Sequence, residues 1–211
     1  MKCESLDISI TQYSANAHST QDLHYLDCSS YAELSRQKIS LLQLINSYRA
    51  IFSEPGVWLE TYSDEDVTQK LQLDLDGEAS LRLCVELASK AELMGFCWAQ
   101  CLDSTGIENS INTIKYYHMI GAPAVKQQLE NLIGQGRVIY VHDLGVNLAH
   151  RGKVPLHRLI YPMLHDLASR SQVNTVMFWS IPDSHISRLA RRAGFDIVLE
   201  IAGMEFYLGE I

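Results

Sequence analysis

Apolar residues along this chain change period several times, and each change marks an element. From Tyr31 the spacing is helical: Leu41, Leu44, Ile45, Tyr48, Ile51 and Phe52 recur three and four residues apart until Glu54-Pro55-Gly56 breaks the stripe. A second helix is predicted after Ser63, which supplies an N-cap. Asp64, Glu65 and Asp66 follow in the first turn, Val67, Leu71 and Leu75 form a buried edge, and Asp76-Gly77 is a stop. The period then drops to two. Leu81, Leu83, Val85 and Leu87 alternate with Arg82, Cys84, Glu86 and Ala88, and a second strand runs from Leu93 to Leu102. These two strands are predicted to pair as an antiparallel hairpin. Residues 103–136 carry a less regular pattern, with one helix over 124–133 stopped by Gly134-Gln135-Gly136, and read as an insertion.

The last third is the most regular part. It predicts a strand over 137–146, a helix over 155–170, a strand over 174–179, a helix over 184–193, and strands over 196–201 and 204–208 joined through Ala202-Gly203 in a closing hairpin. In the first of these helices Leu156, Leu159, Ile160, Met163, Leu164 and Leu167 form a full apolar stripe, with Pro162 inside it to bend it. Residues 1–30 are polar and mixed, and read as an N-terminal arm or first strand over Asp7 to Tyr13 with a loop after it. The rest, 31–211, reads as one domain of the α/β class, a mixed, twisted central sheet flanked by helices.

Composition narrows the function. Seventeen Lys and Arg against 25 Asp and Glu give a formal charge of -8, which counts against a nucleic-acid-directed activity and against an anionic membrane as partner. Five cysteines, odd in number and without a Cys-x-x-Cys pair, read as reduced core residues. The first residues lack a basic segment followed by an apolar one, and no run of apolar residues is long enough to span a bilayer, so a soluble, cytoplasmic protein is expected. His150, His157 and His165 have no Glu or Cys to complete a metal set, and no metal is expected.

The candidate chemistry lies where the strand ending Leu144-Gly145-Val146 runs through Asn147 to Val154 into the helix opened by Pro155. Backbone N–H groups at a helix start lack internal partners and carry the positive end of the dipole, so such a junction can hold a diphosphate. Arg151 and Lys153, with His157 and Arg158 further on, would add charge-assisted bonds. This junction resembles the phosphate loop of the GNAT superfamily of acyl-coenzyme A dependent N-acyltransferases, a strand ending Leu-x-Val followed by Arg/Gln-x-x-Gly-x-Gly/Ala at a helix start. The chain has Leu144, Val146 and then Arg151-Gly152-Lys153, but Lys153 and Pro155 stand at the two small positions when His150 is aligned with the Arg or Gln. The run from Arg151 to Leu156 is also similar to a loop of N-myristoyltransferases, which leaves an acyl group other than acetyl open. Asp183 to Phe195 resembles the family's last helix, with Leu189, Gly194 and Phe195 matching. Asp183 takes the usual Asn position, and Ala190 the place of the Tyr that commonly protonates the departing thiolate. The run Tyr48 to Phe52 with Glu54-Pro55, Trp58 and Glu60 resembles the helix pair that covers the acceptor site.

The resemblance implies a GNAT-type fold and direct attack of a primary amine on the thioester of acetyl-CoA or another acyl-CoA. It implies that Leu144, Gly145, Val146, His150, Arg151, Gly152, Lys153 and Val154, with Asp183, hold the cosubstrate. A base is then needed at the strand end. Asp143 is preferred there, His142 and Glu60 are alternatives, and strand alternation places Asp143 and His142 on opposite faces. Ser184, His185 or water would assist thiolate release. Trp58 and Trp98 are read as core or pocket wall, and Tyr116-Tyr117-His118 as acceptor lining or a loop anchor. Acidic residues between Glu54 and Glu78 favour a cationic small-molecule or peptide amine as acceptor. A homodimer through the last hairpin stays open, as does a catalytically inactive coenzyme A-binding module of the same fold.

Overall fold

The computed structural model describes residues 23–37, 41–53, 61–77, 79–87, 91–112, 122–201 and 203–211. The strand expected over 7–13, the stop at 54–56, and Trp58, Glu60 and Tyr116 to His118 lie outside the described residues. Among the described residues seven strands form one sheet in the order β1-β2-β3-β4-β5-β7-β6: β1 Leu23–Cys28, β2 Ser80–Leu87, β3 Ala91–Leu102, β4 Val138–Val146, β5 Thr175–Ser180, β6 Asp196–Ile201 and β7 Met204–Glu210. The hairpins β2–β3 and β6–β7 pair antiparallel as the alternation requires. β1 is the strand within residues 1–30 that the sequence pattern did not place; it zips antiparallel onto β2 from Leu23↔Glu86 to Cys28↔Leu81.

Among the described residues seven α-helices cover the two faces. On the front, α1 Tyr31–Leu34, α2 Leu41–Phe52 and α3 Asp64–Asp76 lie over the β1–β4 half. Ser63 caps α3 in a capping box, its Oγ accepting from the Asp66 N–H while the Asp66 carboxylate takes the Ser63 N–H. The stretch read as an insertion holds two helices, α4 Ser104–Asn112 and α5 Ala122–Ile133. Ile107, Ile111 and Leu129 are fully buried against Tyr140, Met177 and Phe206, so these helices supply the core over the other half of the front face.

On the back, α6 Leu156–Ser171 packs Leu159, Met163, Leu164 and Leu167 against Met94, Cys97 and Ile139, and α7 His185–Arg192 lies beyond it. Pro162 within α6 has no N–H for the carbonyl of Arg158 one turn earlier. Arg82 of β2 supplies the missing donor, its Nε bonding the Arg158 oxygen at 3.1 Å while its guanidinium pairs with Asp27 of β1 at 2.5 Å. One side chain thereby ties the sheet edge to the proline helix. Among the described residues no helix is long and apolar enough to cross a membrane.

Candidate active site

The sheet is split at its centre. β4 and β5 run parallel but pair only at Ile139↔Val176 and Tyr140↔Met177, after which the two strands separate, while β4 stays bonded to β3 and β5 to β7. From Val141 onward the β5-facing edge of β4 therefore has no strand partner among the described residues. Burial reports the same opening: the His142 side chain is 1 % exposed and that of Asp143 11 %, yet both residues count as half-buried, so what is open there is largely main chain. An open strand edge presents a row of unpaired amide donors and acceptors.

A bulge in β4 decides which side chains stand beside the opening. Asp143 is opposite Trp98 and Val141 opposite Ala99, so His142 is one residue too many and has no opposite number. The extra residue inverts the alternation. Val141 and Leu144 pack on the back and Tyr140 on the front, while His142 and Asp143, adjacent in sequence, both join one polar cluster on the front. The expectation of opposite faces for these two residues is thus overturned, because simple alternation holds only along an unbroken ladder. Gly145 follows on the front, where a Cβ would lie 2.5 Å from Phe96 Cζ and 2.8 Å from Ile51 Cδ1; only glycine lets α2 pack this closely.

The cluster is a buried chain of charges. Lys70 Nζ of α3 lies 3.3 Å from Asp143 Oδ2 and 3.2 Å from Asp74 Oδ2. Tyr48 of α2 donates to Asp143 Oδ1 at 3.2 Å, Trp98 Nε1 donates to Asp74 Oδ2 at 2.9 Å, and His142 Nδ1 is 3.6 Å from that oxygen and 2.9 Å from Ser110 Oγ of α4. Burial raises the Asp143 carboxyl to about 6, with Asp74 adding to the rise and Lys70 and Tyr48 restraining it. Burial also pushes Asp74 up, but Lys70, His142 and the Trp98 N–H outweigh it and hold that carboxyl below its ordinary range. His142 is driven down to about 4, chiefly by burial, with Asp74 opposing and Lys70 assisting. At neutral pH the cluster therefore holds two carboxylates, one ammonium and a neutral imidazole. Among the described residues buried His142 Nε2 has no hydrogen-bond partner, and buried Asp143 Oδ2 has only the Lys70 ammonium at 3.3 Å.

Trp98 stands in the cluster as a wall residue, as expected, but Lys70 and Asp74 were not singled out in the sequence, although a signal existed. Val67, Lys70, Leu71, Asp74 and Leu75 form one helical stripe in which Lys70 is buried and Asp74 half-buried, and a charge on a buried stripe needs a partner across the interface.

The loop after β4 is held to β3: the Asn147 N–H bonds Met94 O at 2.9 Å, and Asn147 Nδ2 bonds Leu93 O at 2.5 Å. A short 3-10 turn over Leu148–His150 follows. His150 is turned inward, its Nε2 2.9 Å from Glu92 Oε1, and anchors the loop, whereas Arg151, Gly152 and Lys153 are exposed. Gly152 has φ +83, a conformation that costs any other residue strain. Val154 is buried and Pro155 is the N-cap of α6, with no side chain capping the first turn; the Arg158 and Leu159 N–H groups turn back to Pro155 O, which leaves those of Leu156 and His157 uncovered among the described residues. Leu144 and Val146 pack against α6.

Across the opening the expected residues have local roles. Ser184 caps α7, its Oγ accepting the Ser187 N–H at 2.9 Å and lying 2.7 Å from Ser180 Oγ. Asp183, exposed with φ +61, presents its carbonyl to Arg188. Ala190 is buried and brings no phenol. Among the described residues no group of three potential metal ligands is present.

No family model matches the sequence, and no curated protein matches it significantly. Solved structures match over most of the chain. NAA60 of Arabidopsis thaliana, solved with a bisubstrate analogue, is similar at a TM-score of 0.54 and 18 % identity, over 90 % of this chain and 98 % of that one. A mosquito arylalkylamine N-acetyltransferase like 5b is similar at 0.58 and 13 % identity, over 89 % and 100 % of the two chains. YncA, a putative acetyltransferase of Salmonella typhimurium solved with its cofactor acetyl-CoA, is similar at 0.56 and 10 % identity, over 90 % and 94 %. The architecture is that of an α/β protein opened between its two central parallel strands. It is the fold of the GNAT acetyltransferases.

Proposed function

We propose that the protein is an N-acyltransferase that moves an acyl group, acetyl in the first instance, from acyl-CoA to a primary amine by direct attack. The observation that carries this reading is the opening between β4 and β5, with strand main chain at Val141–Leu144 that has no partner strand on that edge among the described residues, and a buried carboxylate of raised pKa beside it. The residues present fit an acyl-CoA. The open edge of β4 through Leu144, Gly145 and Val146 offers amides to a pantetheine arm. The uncovered start of α6 with Arg151, Gly152, Lys153 and Val154 suits a diphosphate. His150 contributes by fixing that loop to Glu92, and Asp183 stands at the far side of the opening. Bound there, an acyl-CoA supplies an activated thioester carbonyl.

The rest falls to this chain. Asp143, ionised above about pH 6, accepts the proton an ammonium must lose before its nitrogen can attack. Tyr48 and Lys70 orient that carboxylate. Two carboxylates against one ammonium leave the cluster with an excess negative charge, which favours a cationic acceptor. Burial raises the thiols of Cys28, to about 11, of Cys84, and of Cys97, which lies nearest Asp143; none of the three is a ready nucleophile, and this supports direct attack over an acyl-cysteine route.

A second reading has its own support. Ala190 and the capped Ser184 leave α7 only the exposed His185 as an acid for the thiolate, a weaker provision than a tyrosine in the opening and in keeping with an acyl-CoA-binding module that has lost catalysis. One experiment separates the two: titrate the protein with acetyl-CoA by calorimetry, then follow thiol release with tryptamine, spermidine and a short peptide bearing a free α-amine. Binding with thiol release supports the enzyme and binding without it the module, while no binding removes both.

A further inference from the structure

The carboxylate assigned as base is not held by its own strand. We propose that Lys70 is the positioning residue of the acyl-transfer site: from α3 it bridges Asp143 on the β4 bulge and Asp74 one turn along its own helix, and the balance between these pairings sets the protonation of Asp143. The proposal rests on the reading of Asp143 as base.

Three observations carry it. Lys70 Nζ stands at nearly equal distances from the two carboxylates, 3.2 and 3.3 Å, at 9 % exposure, so one ammonium serves both. Its neighbours on the buried stripe are Val67, Leu71 and Leu75, where an apolar side chain of similar volume would pack; a buried ion pair is often no more stabilising than such a replacement, so stability alone does not account for the charge. Finally, Lys70 is the one cation among the described groups around Asp143. Those groups are Tyr48 from α2, Lys70 and Asp74 from α3, Cys97 and Trp98 from β3, and Tyr140 and neutral His142 on β4, with Ser110 of α4 behind His142.

The two partners of this balance act in opposite senses. Removing the ammonium takes away the attraction that keeps Asp143 ionised. Neutralising Asp74 takes away a repulsion and leaves Lys70 to Asp143 alone. Asp74→Asn keeps the shape of the side chain, and Lys70→Met fills the stripe. The readouts are the Asp143 carboxyl titration by carbon-detected NMR in the ligand-free protein, and the pH profile of acetyl transfer from acetyl-CoA to tryptamine. The expected result is a midpoint and acid limb lowered by about one pH unit in Asp74→Asn and raised by about as much in Lys70→Met. A midpoint that stays put, or moves the same way in both, overturns the proposal. If Lys70→Met does not fold, the sign of the Asp74→Asn shift decides alone. Midpoints that move as expected while Asp143→Asn keeps full turnover remove the reading of Asp143 as base, and the positioning role with it. Lost turnover in Asp143→Asn with unmoved midpoints removes only the role of Lys70.

Discussion

Two buried carboxylates, Asp143 and Glu205, sit on opposite faces of the sheet, and they are finished differently. Glu205 of β7 is on the back, its side chain 7 % exposed, with Arg191 of α7 2.5 Å from Oε1 and the Tyr207 hydroxyl donating to Oε2. Each oxygen has a donor, and Tyr207 is fixed in turn by stacking on Phe178. Asp143 on the front has a donor on Oδ1, but Oδ2 has only the shared ammonium of Lys70, and the neighbouring His142 Nε2 has none. An ammonium shared between two buried carboxylates satisfies each less fully than a donor of its own would, and a buried polar group left incompletely paired calls for a reason beyond stability. The complete cluster reads as a brace for α7 on the sheet, and the incomplete one as a place of reaction.

The sharpest way to break this contrast is at Asp143. Asp143→Asn is expected to lower turnover about a hundredfold or more, the lower end of what a general base contributes, with coenzyme A affinity unchanged by calorimetry. The wild-type rate should fall on the acid side below about 6, since Asp143 accepts a proton only when ionised. Stability moves the other way. Because the folded-state pKa is raised, the contribution of Asp143 to stability is present below its unfolded pKa and lost as pH rises through about 6, so the Asn variant should gain on wild type across that window in thermal melts. Full turnover in Asp143→Asn would erase the functional half of the comparison.

Glu205→Gln tests the other half. It replaces one acceptor oxygen by a donor that faces the Tyr207 hydroxyl or Arg191, and chemical denaturation should show a loss of about 2 kcal/mol with turnover per folded molecule near wild type. A large loss of turnover with little loss of stability would reverse the assignment of the two clusters. The smallest expected effect concerns the loop that both faces share. Arg151→Ala together with Lys153→Ala should weaken coenzyme A binding about tenfold, or about 1.4 kcal/mol, with turnover at saturation nearly unchanged. Unchanged affinity in the folded variant would remove the diphosphate from the start of α6.

Much of the fold was legible because it follows from local periodicity. The β2–β3 hairpin, the capped α3, the β4-α6-β5-α7 succession and the closing hairpin can each be read from the spacing of a few apolar residues and their stop signals. β1 was missed because Leu23–Cys28 is short and its alternation mixed, and it is fixed by the register it finds on β2. α4 was missed because its burial, at Ile107 and Ile111, is against strands far along the chain.

For the site, the sequence by itself determined which residue types stand at the end of β4 and at the start of α6: Asp143, the glycines at 145 and 152, and the exposed Arg151 and Lys153. It also put Ala190 where the family resemblance expects a tyrosine. Only the tertiary structure decided where they point. Strand alternation assigns His142 and Asp143 to opposite faces, and one extra residue against Trp98 puts them on the same face. Lys70 and Asp74 are an ordinary one-turn pair on a helix until α3 is laid across the sheet and Asp143 comes within 3.3 Å of the ammonium. A bulge, a splayed strand pair and a buried ion cluster all depend on contacts between segments distant in sequence, and these cannot be read from local periodicity.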